Sequence, residues 1–125
     1  DELFTSPKDH AYTCYENEKG RPDFVQPLFA CNPGNLLVRD ILDTLHVLQP
    51  AQLHPQPFMS TGNSFLSKFV PRYRNKLTIW PSHYFIPQFY MNGSQRYDGP
   101  EKVYADHQWG STGMGFNCTD YSQGV

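Results

Sequence analysis

Residues 30–50 read ACNPGNLLVRDILDTLHVLQP, and the fold class turns on this stretch. Asn32 is a good helix cap, and Pro33 at a first helical position gives up no useful donor. Leu37, Val38, Ile41, Leu42, Leu45 and Leu48 follow at three- and four-residue spacing, which makes one face of a helix. Pro50 stops it. The spacing predicts an amphipathic helix over residues 33–48, with Leu37, Ile41, Leu45 and Leu48 turned inward.

Upstream of the helix, turn formers mix with the isolated aromatics Tyr12, Tyr15, Phe24 and Phe29, a pattern of loop and short strand. Downstream, Pro50, Pro55 and Pro57 punctuate a loop. Phe65, Leu66, Phe69 and Val70 then fit one face of a short second helix, capped by Thr61 or Ser64 and ended by Pro71. Residues 76–80, KLTIW, alternate and are β-branched enough for a strand that Pro81 closes. Tyr84-Phe85-Ile86, closed by Pro87, and Val103-Tyr104-Ala105 read as two further short strands. Asn92-Gly93 and Asp98-Gly99-Pro100 break the chain between them. The tail from Gly110 is rich in Gly, Ser and Asn, and residues 113–125 are expected to fray. Helices alternating with short strands indicate α/β, but three short strands are too few for a complete doubly wound sheet. Residues 1–125 therefore read as one partial domain.

Composition narrows the class. Eleven Pro and nine Gly in 125 residues exclude a helical bundle or coiled coil, and two Trp, eight Tyr and nine Phe are too many aromatics for simple disorder. Ten basic and twelve acidic side chains leave a net charge of -2, which creates no field for gathering nucleic acid or an anionic membrane. No apolar run is long enough to cross a bilayer. Cys14, Cys31 and Cys118 lack metal-knuckle spacing, and either one disulfide with a free thiol or three reduced thiols fits. Asn92-Gly93-Ser94 and Asn117-Cys118-Thr119 are glycosylation sequons that agree with a secretory route.

Chemistry-bearing residues concentrate at His107-x-Trp109-x-Ser111, directly after the last predicted strand. Strand ends are where α/β folds place ligand-binding groups. A His there can meet a cation, a Trp can stack on a sugar or base, and a Ser can donate to a phosphate oxygen. The competing reading makes Trp109 a half-buried anchor and His107 a turn cap. Glu16 and Glu18, two apart, would face one side of an extended segment and could share a metal or proton, or simply be solvated. Arg72-Tyr73-Arg74-Asn75-Lys76 sets three cations around an aromatic and could grip a diphosphate; a solvated patch is the plainer alternative. No P-loop, Rossmann fingerprint, nucleophile elbow or Asp-x-Asp occurs in the chain.

The order of these pieces resembles a known family. Tyr12 to Glu16, then Ala30-Cys31-Asn32-Pro33-Gly34-Asn35 opening a helix, then Ser60-Thr61-Gly62, then Leu77-Thr78-Ile79-Trp80-Pro81 with Tyr84-Phe85-Ile86-Pro87, and finally Ala105-Asp106-His107-Gln108-Trp109-Gly110-Ser111 is similar to the C-terminal half of glycosyltransferase family 32, over roughly residues 10–112. Asn63 stands where that family has the Pro of a Thr-Gly-Pro loop. The closing motif is one residue shorter between Trp and Ser, with Thr112 in place of a second Trp. The family's metal-binding Asp-x-Asp lies upstream of the matched part.

The resemblance implies an incomplete GT-A-type domain with two main helices and short strands. It implies a metal-dependent hexosyltransferase that uses a nucleotide-sugar donor, a divalent cation (usually Mn2+) and a glycan, lipid or protein acceptor. His107 would face the metal or diphosphate, Ser111 the phosphate, and Trp109 the nucleotide sugar. Thr61 and Gly62 would line the sugar site with backbone donors. Glu16 would lie near the transferred sugar or the acceptor hydroxyl. A eukaryotic parent would be a type II membrane protein of the Golgi lumen, anchored outside this chain, and this chain alone would be inactive. The alternative is a non-catalytic carbohydrate-binding or interaction module, with the aromatics as stacking platforms.

Overall fold

Strand β1, Ala11–Cys14, is the middle of a three-stranded sheet of order β2-β1-β3 in the computed structural model, which describes residues 2–26, 28–91 and 93–109. Strand β2, Ala30–Cys31, pairs antiparallel to it, with Ala11 opposite Cys31. Strand β3, Leu77–Trp80, pairs parallel in the register Ala11–Leu77, Tyr12–Thr78, Thr13–Ile79 and Cys14–Trp80. The protein is thus mixed α/β. All four residues of β1 are buried, because both faces of this central strand are covered.

The two faces follow from the alternation of side chains along a strand. Ala11 and Leu77 point to a core that also contains Val25, Leu37, Ile41, Phe65, Phe69 and Val70. Tyr12 and Trp80 point the other way and stack at 5.2 Å between ring centres, with Phe4 set edge-on against both. The segment before β1 is held to that second face: Trp80 Nε1 donates to the Leu3 carbonyl, and Ser6 and Thr78 share a hydroxyl–hydroxyl bond of 2.6 Å.

Helix α1 runs Leu36–Val47 rather than 33–48. Its cap is Asn35, whose Oδ1 accepts from the N–H groups of Leu37 and Val38, and not Asn32. Gly34 takes φ 78°, which no helical residue can adopt, so Pro33-Gly34 is a turn ahead of the helix. The inward face is as the spacing predicts at Leu37 and Ile41, which are buried, and Leu45 and Leu48 pack half-buried against the same core. Leu42 and Val47 are exposed.

A short helical turn, α2 (Pro57–Ser60), forms in the stretch expected to be loop, and the predicted second helix is broken into α3 (Asn63–Ser67) and α4 (Val70–Tyr73). Pro71 does not end a helix. It sits in the first turn of α4, where its missing N–H costs nothing. Gly62, not Thr61 or Ser64, precedes α3 as its cap residue. Asp40 of α1 accepts from Arg72 Nη1 at 2.7 Å and from the Tyr73 hydroxyl at 3.0 Å, which ties α4 to α1.

By its contacts the chain forms two compact units, Asp1–Pro81 and Ser82–Val125. In the second unit neither Tyr84–Ile86 nor Val103–Ala105 is a strand. Ser82–Tyr84 is a single 3-10 turn, and the Ser82 carbonyl takes the N–H groups of both Phe85 and Ile86. Pro81 and Pro87 bracket that run too closely for a ladder to form. Residues 104–107 instead cross back over it: Tyr104 and Ala105 N–H both donate to the Tyr84 carbonyl, and His107 N–H donates to that of Phe85. Aromatic rings fill the space, with His83 stacked on Tyr97 at 3.9 Å and Tyr104 on Phe85 at 6.1 Å. The expected frayed tail lies outside the described residues.

Candidate functional site

The C-terminal end of β1 is where the first unit brings polar chemistry together. Residues 14–16 continue beyond the strand and meet 24–26 coming back. Glu16 N–H donates to the Phe24 carbonyl, Gln26 N–H to that of Cys14, and Tyr15 bridges Val25. The turn between them closes where Gly20 and Arg21 N–H both reach the Asn17 carbonyl. This hairpin places Gln26 Nε2 at 3.2 Å from Glu16 Oε1, and Arg21 Nη1 at 3.7 Å from Glu16 Oε2. Glu16 is 7% exposed. Burial pushes its carboxyl above the ordinary Glu range, and the Arg21 guanidinium pulls the other way without cancelling it.

A third element joins from far along the chain. Asn63, which opens α3, donates its Nδ2 to Gln26 Oε1 at 3.3 Å. The loop Thr61-Gly62-Asn63 is therefore linked to Glu16 through Gln26. Thr61 and Gly62 themselves do not present free backbone donors, contrary to the expectation for them. Both N–H groups go to the Pro57 carbonyl, at 3.0 and 3.2 Å, because α2 ends there in a tight turn. Gly62 is required in that turn, since a Cβ would come within 2.7 Å of Phe58 Cα.

Neighbouring groups are quieter. Cys14 is buried and its thiol is pushed up to about 12, first by burial and then by Glu18 and Glu16, so it is not a nucleophile. Cys31 is exposed and free. The basic run does not form an open cationic patch. Arg72 pairs with Asp40, Arg74 with Asp23, and Lys76 with Asp9 at 3.3 Å. Each cation of that run faces its own carboxylate.

In the second unit, His107 is exposed and Trp109 buried. Trp109 Nε1 donates to the Gln88 carbonyl at 2.8 Å, and its ring packs edge-on against Phe89 and obliquely on Tyr90. These anchors hold Trp109 at φ 51°, a left-handed backbone that a bulky residue seldom adopts. Together with Gln88, Arg96, Asp106 and His107 they line a cavity of about 230 Å³.

The Trp109 N–H donates to His107 Nδ1 at 3.1 Å. Accepting there requires the neutral tautomer with its proton on Nε2. In that tautomer His107 presents its Nε2–H as a donor. Among the described residues no cluster of three or more His, Cys, Asp or Glu could hold a metal ion. Ser111 and both sequons fall wholly or partly outside the described residues.

Sequence reasoning missed Gln26 and Arg21. A usable signal was present: Asn17 and Gly20 are turn formers spaced to fold residues 21–26 back on Glu16. No family model, curated protein or solved structure matches the chain.

Proposed function

We propose that this chain is the C-terminal half of a hexosyltransferase that moves a sugar from a nucleotide donor to a glycan, lipid or protein acceptor. The observation that carries the reading is the junction at Glu16. Two pieces that the family resemblance puts at one sugar, Glu16 and the Thr61-Gly62-Asn63 loop, are linked through the Gln26 amide at the C-terminal end of the parallel pair β1 and β3. That is the end of a parallel sheet at which ligands bind. A carboxylate with one oxygen hydrogen-bonded and the other facing a cation is suited to accept a sugar hydroxyl and hold it in place.

His107 Nε2–H supplies a donor to a diphosphate oxygen, and Trp109 is the rigid wall of the same recess. A divalent cation belongs to the proposal with its carboxylate ligands coming from outside this chain. On this reading the chain alone binds without transferring.

The test is a titration of the chain with UDP- and GDP-hexoses, with and without Mn2+, followed by NMR at the His107 ring and the Trp109 indole. Movement of both signals by a nucleotide sugar, and not by the free hexose, is expected. If free glycans shift these signals while nucleotide sugars do not, the chain is a carbohydrate-binding module and the transferase reading fails.

A further inference from the structure

The two carboxylate oxygens of Glu16 have different surroundings. Oε1 accepts from Gln26 Nε2 at 3.2 Å, whereas among the described residues Oε2 faces Arg21 Nη1, at 3.7 Å. Gln26 turns its own carbonyl to Asn63 Nδ2 at 3.3 Å. Glu16 and Gln26 are each 7% exposed, so water does not substitute freely for these bonds.

The direction of the chain is set by charge. An ionised carboxylate only accepts, so Gln26 must present its NH2 to Glu16. Its carbonyl then needs a donor, and Asn63 provides one. The backbone holds both amides in place. Gln26 N–H donates to the Cys14 carbonyl at 3.0 Å, and the Gln26 carbonyl accepts from Thr13 Oγ1 at 2.9 Å. Ser67 Oγ donates to the Asn63 carbonyl at 2.6 Å and accepts from Val25 N–H at 3.0 Å. Residues 25, 26 and 63 thus form one braced unit beside Glu16.

We propose that Gln26 and Asn63 are positioning residues: their amides reserve Oε1 of Glu16 and leave Oε2 as the atom that accepts a substrate hydroxyl. The hydroxyl half of this statement rests on the transferase reading; the amide chain does not. A consequence follows from the donor order. Protonating Glu16 lets its hydroxyl donate, which favours a half-turn of the Gln26 amide and then of Asn63. The charge on Glu16 is thereby transmitted to the loop at Thr61-Gly62.

The experiment is a carboxyl-carbon NMR titration of the whole chain, with Glu16 assigned by Glu16→Gln, in the wild type, Gln26→Leu, Asn63→Leu and the double variant. Gln26→Leu shifts the Glu16 midpoint upward, because a bond to the charged form is lost. Asn63→Leu shifts it upward in the wild type and not in the Gln26→Leu background, since Asn63 acts only through Gln26. In the wild type the Gln26 and Asn63 side-chain amide signals both move with the Glu16 titration, a readout that needs no variant to fold. A stationary Asn63 amide, or an Asn63→Leu shift that persists without Gln26, overturns the chain. The expected titrations combined with no binding of UDP- or GDP-hexoses overturn only the hydroxyl role of Oε2.

Discussion

Glu16 sits where burial and charge act in opposite senses, and burial wins. A carboxyl whose folded pKa lies above its unfolded value, about 4.3 for Glu, binds its proton more tightly in the fold. Its stabilising contribution is complete below the unfolded value and is lost as pH rises through the folded one. Denaturant melts of the wild type and Glu16→Gln between pH 4 and pH 7 should therefore show the wild type losing ground to the variant as pH rises. A pH-independent difference would mean that the carboxyl is solvated. Cys14 makes a second test at the same strand end. In a Cys31→Ser/Cys118→Ser variant, Cys14 should stay unlabelled by a thiol reagent at pH 8 and react fully once the chain is unfolded, because a thiol pushed up to about 12 has almost no thiolate there.

Helix α1 contributes mainly through two side chains. Leu37 and Ile41 enter the core opposite β1, and removing a buried side chain down to Ala typically costs about 2–5 kcal/mol. Ile41→Ala should lower unfolding free energy by an amount in that range, enough to unfold much of a marginal chain. Leu42→Ala, one residue on and exposed, should change it by less than about 0.5 kcal/mol. Equal effects would show that the helix is rotated from this register. The inward stripe was legible because it depends only on spacing. The start of the helix was not, because Asn32 and Asn35 are chemically identical caps. What separates them is the turn at Gly34, because both Asn side chains are tied to the segment before β1, Asn32 Nδ2 to the Lys8 carbonyl and Asn35 Nδ2 to that of Asp9.

The two tryptophans report on the two units separately, Trp80 in Asp1–Pro81 and Trp109 in Ser82–Val125. The first unit has a sheet, α1 and a continuous apolar core. Through residue 109 the second has one 3-10 turn, stacked rings and single backbone bonds. Segments with few buried apolar contacts open at lower free energy. Fluorescence of a Trp80→Phe variant, which sees Trp109, should show a lower denaturation midpoint than that of a Trp109→Phe variant, which sees Trp80. Coincident midpoints would show that the units unfold as one.

Spacing and composition by themselves determined the mixed α/β class, the inward face of α1 and the β3 strand. Each of these depends on periodicity or on a count, and both can be read along a line. Tertiary structure alone decided the rest. It put β1 between an antiparallel and a parallel neighbour, and it turned two apolar runs near Tyr84 and Tyr104 into crossing loops. It also neutralised the 72–76 cations one by one against Asp40, Asp23 and Asp9. The same holds for the candidate site. Glu16 was visible as a carboxylate, but Gln26 became its partner, and Asn63 the partner of Gln26, only when the hairpin and α3 met. Hydrogen bonds between residues this far apart leave no periodic trace in a sequence, since each depends on where the backbone carries one atom to within about 3 Å of another.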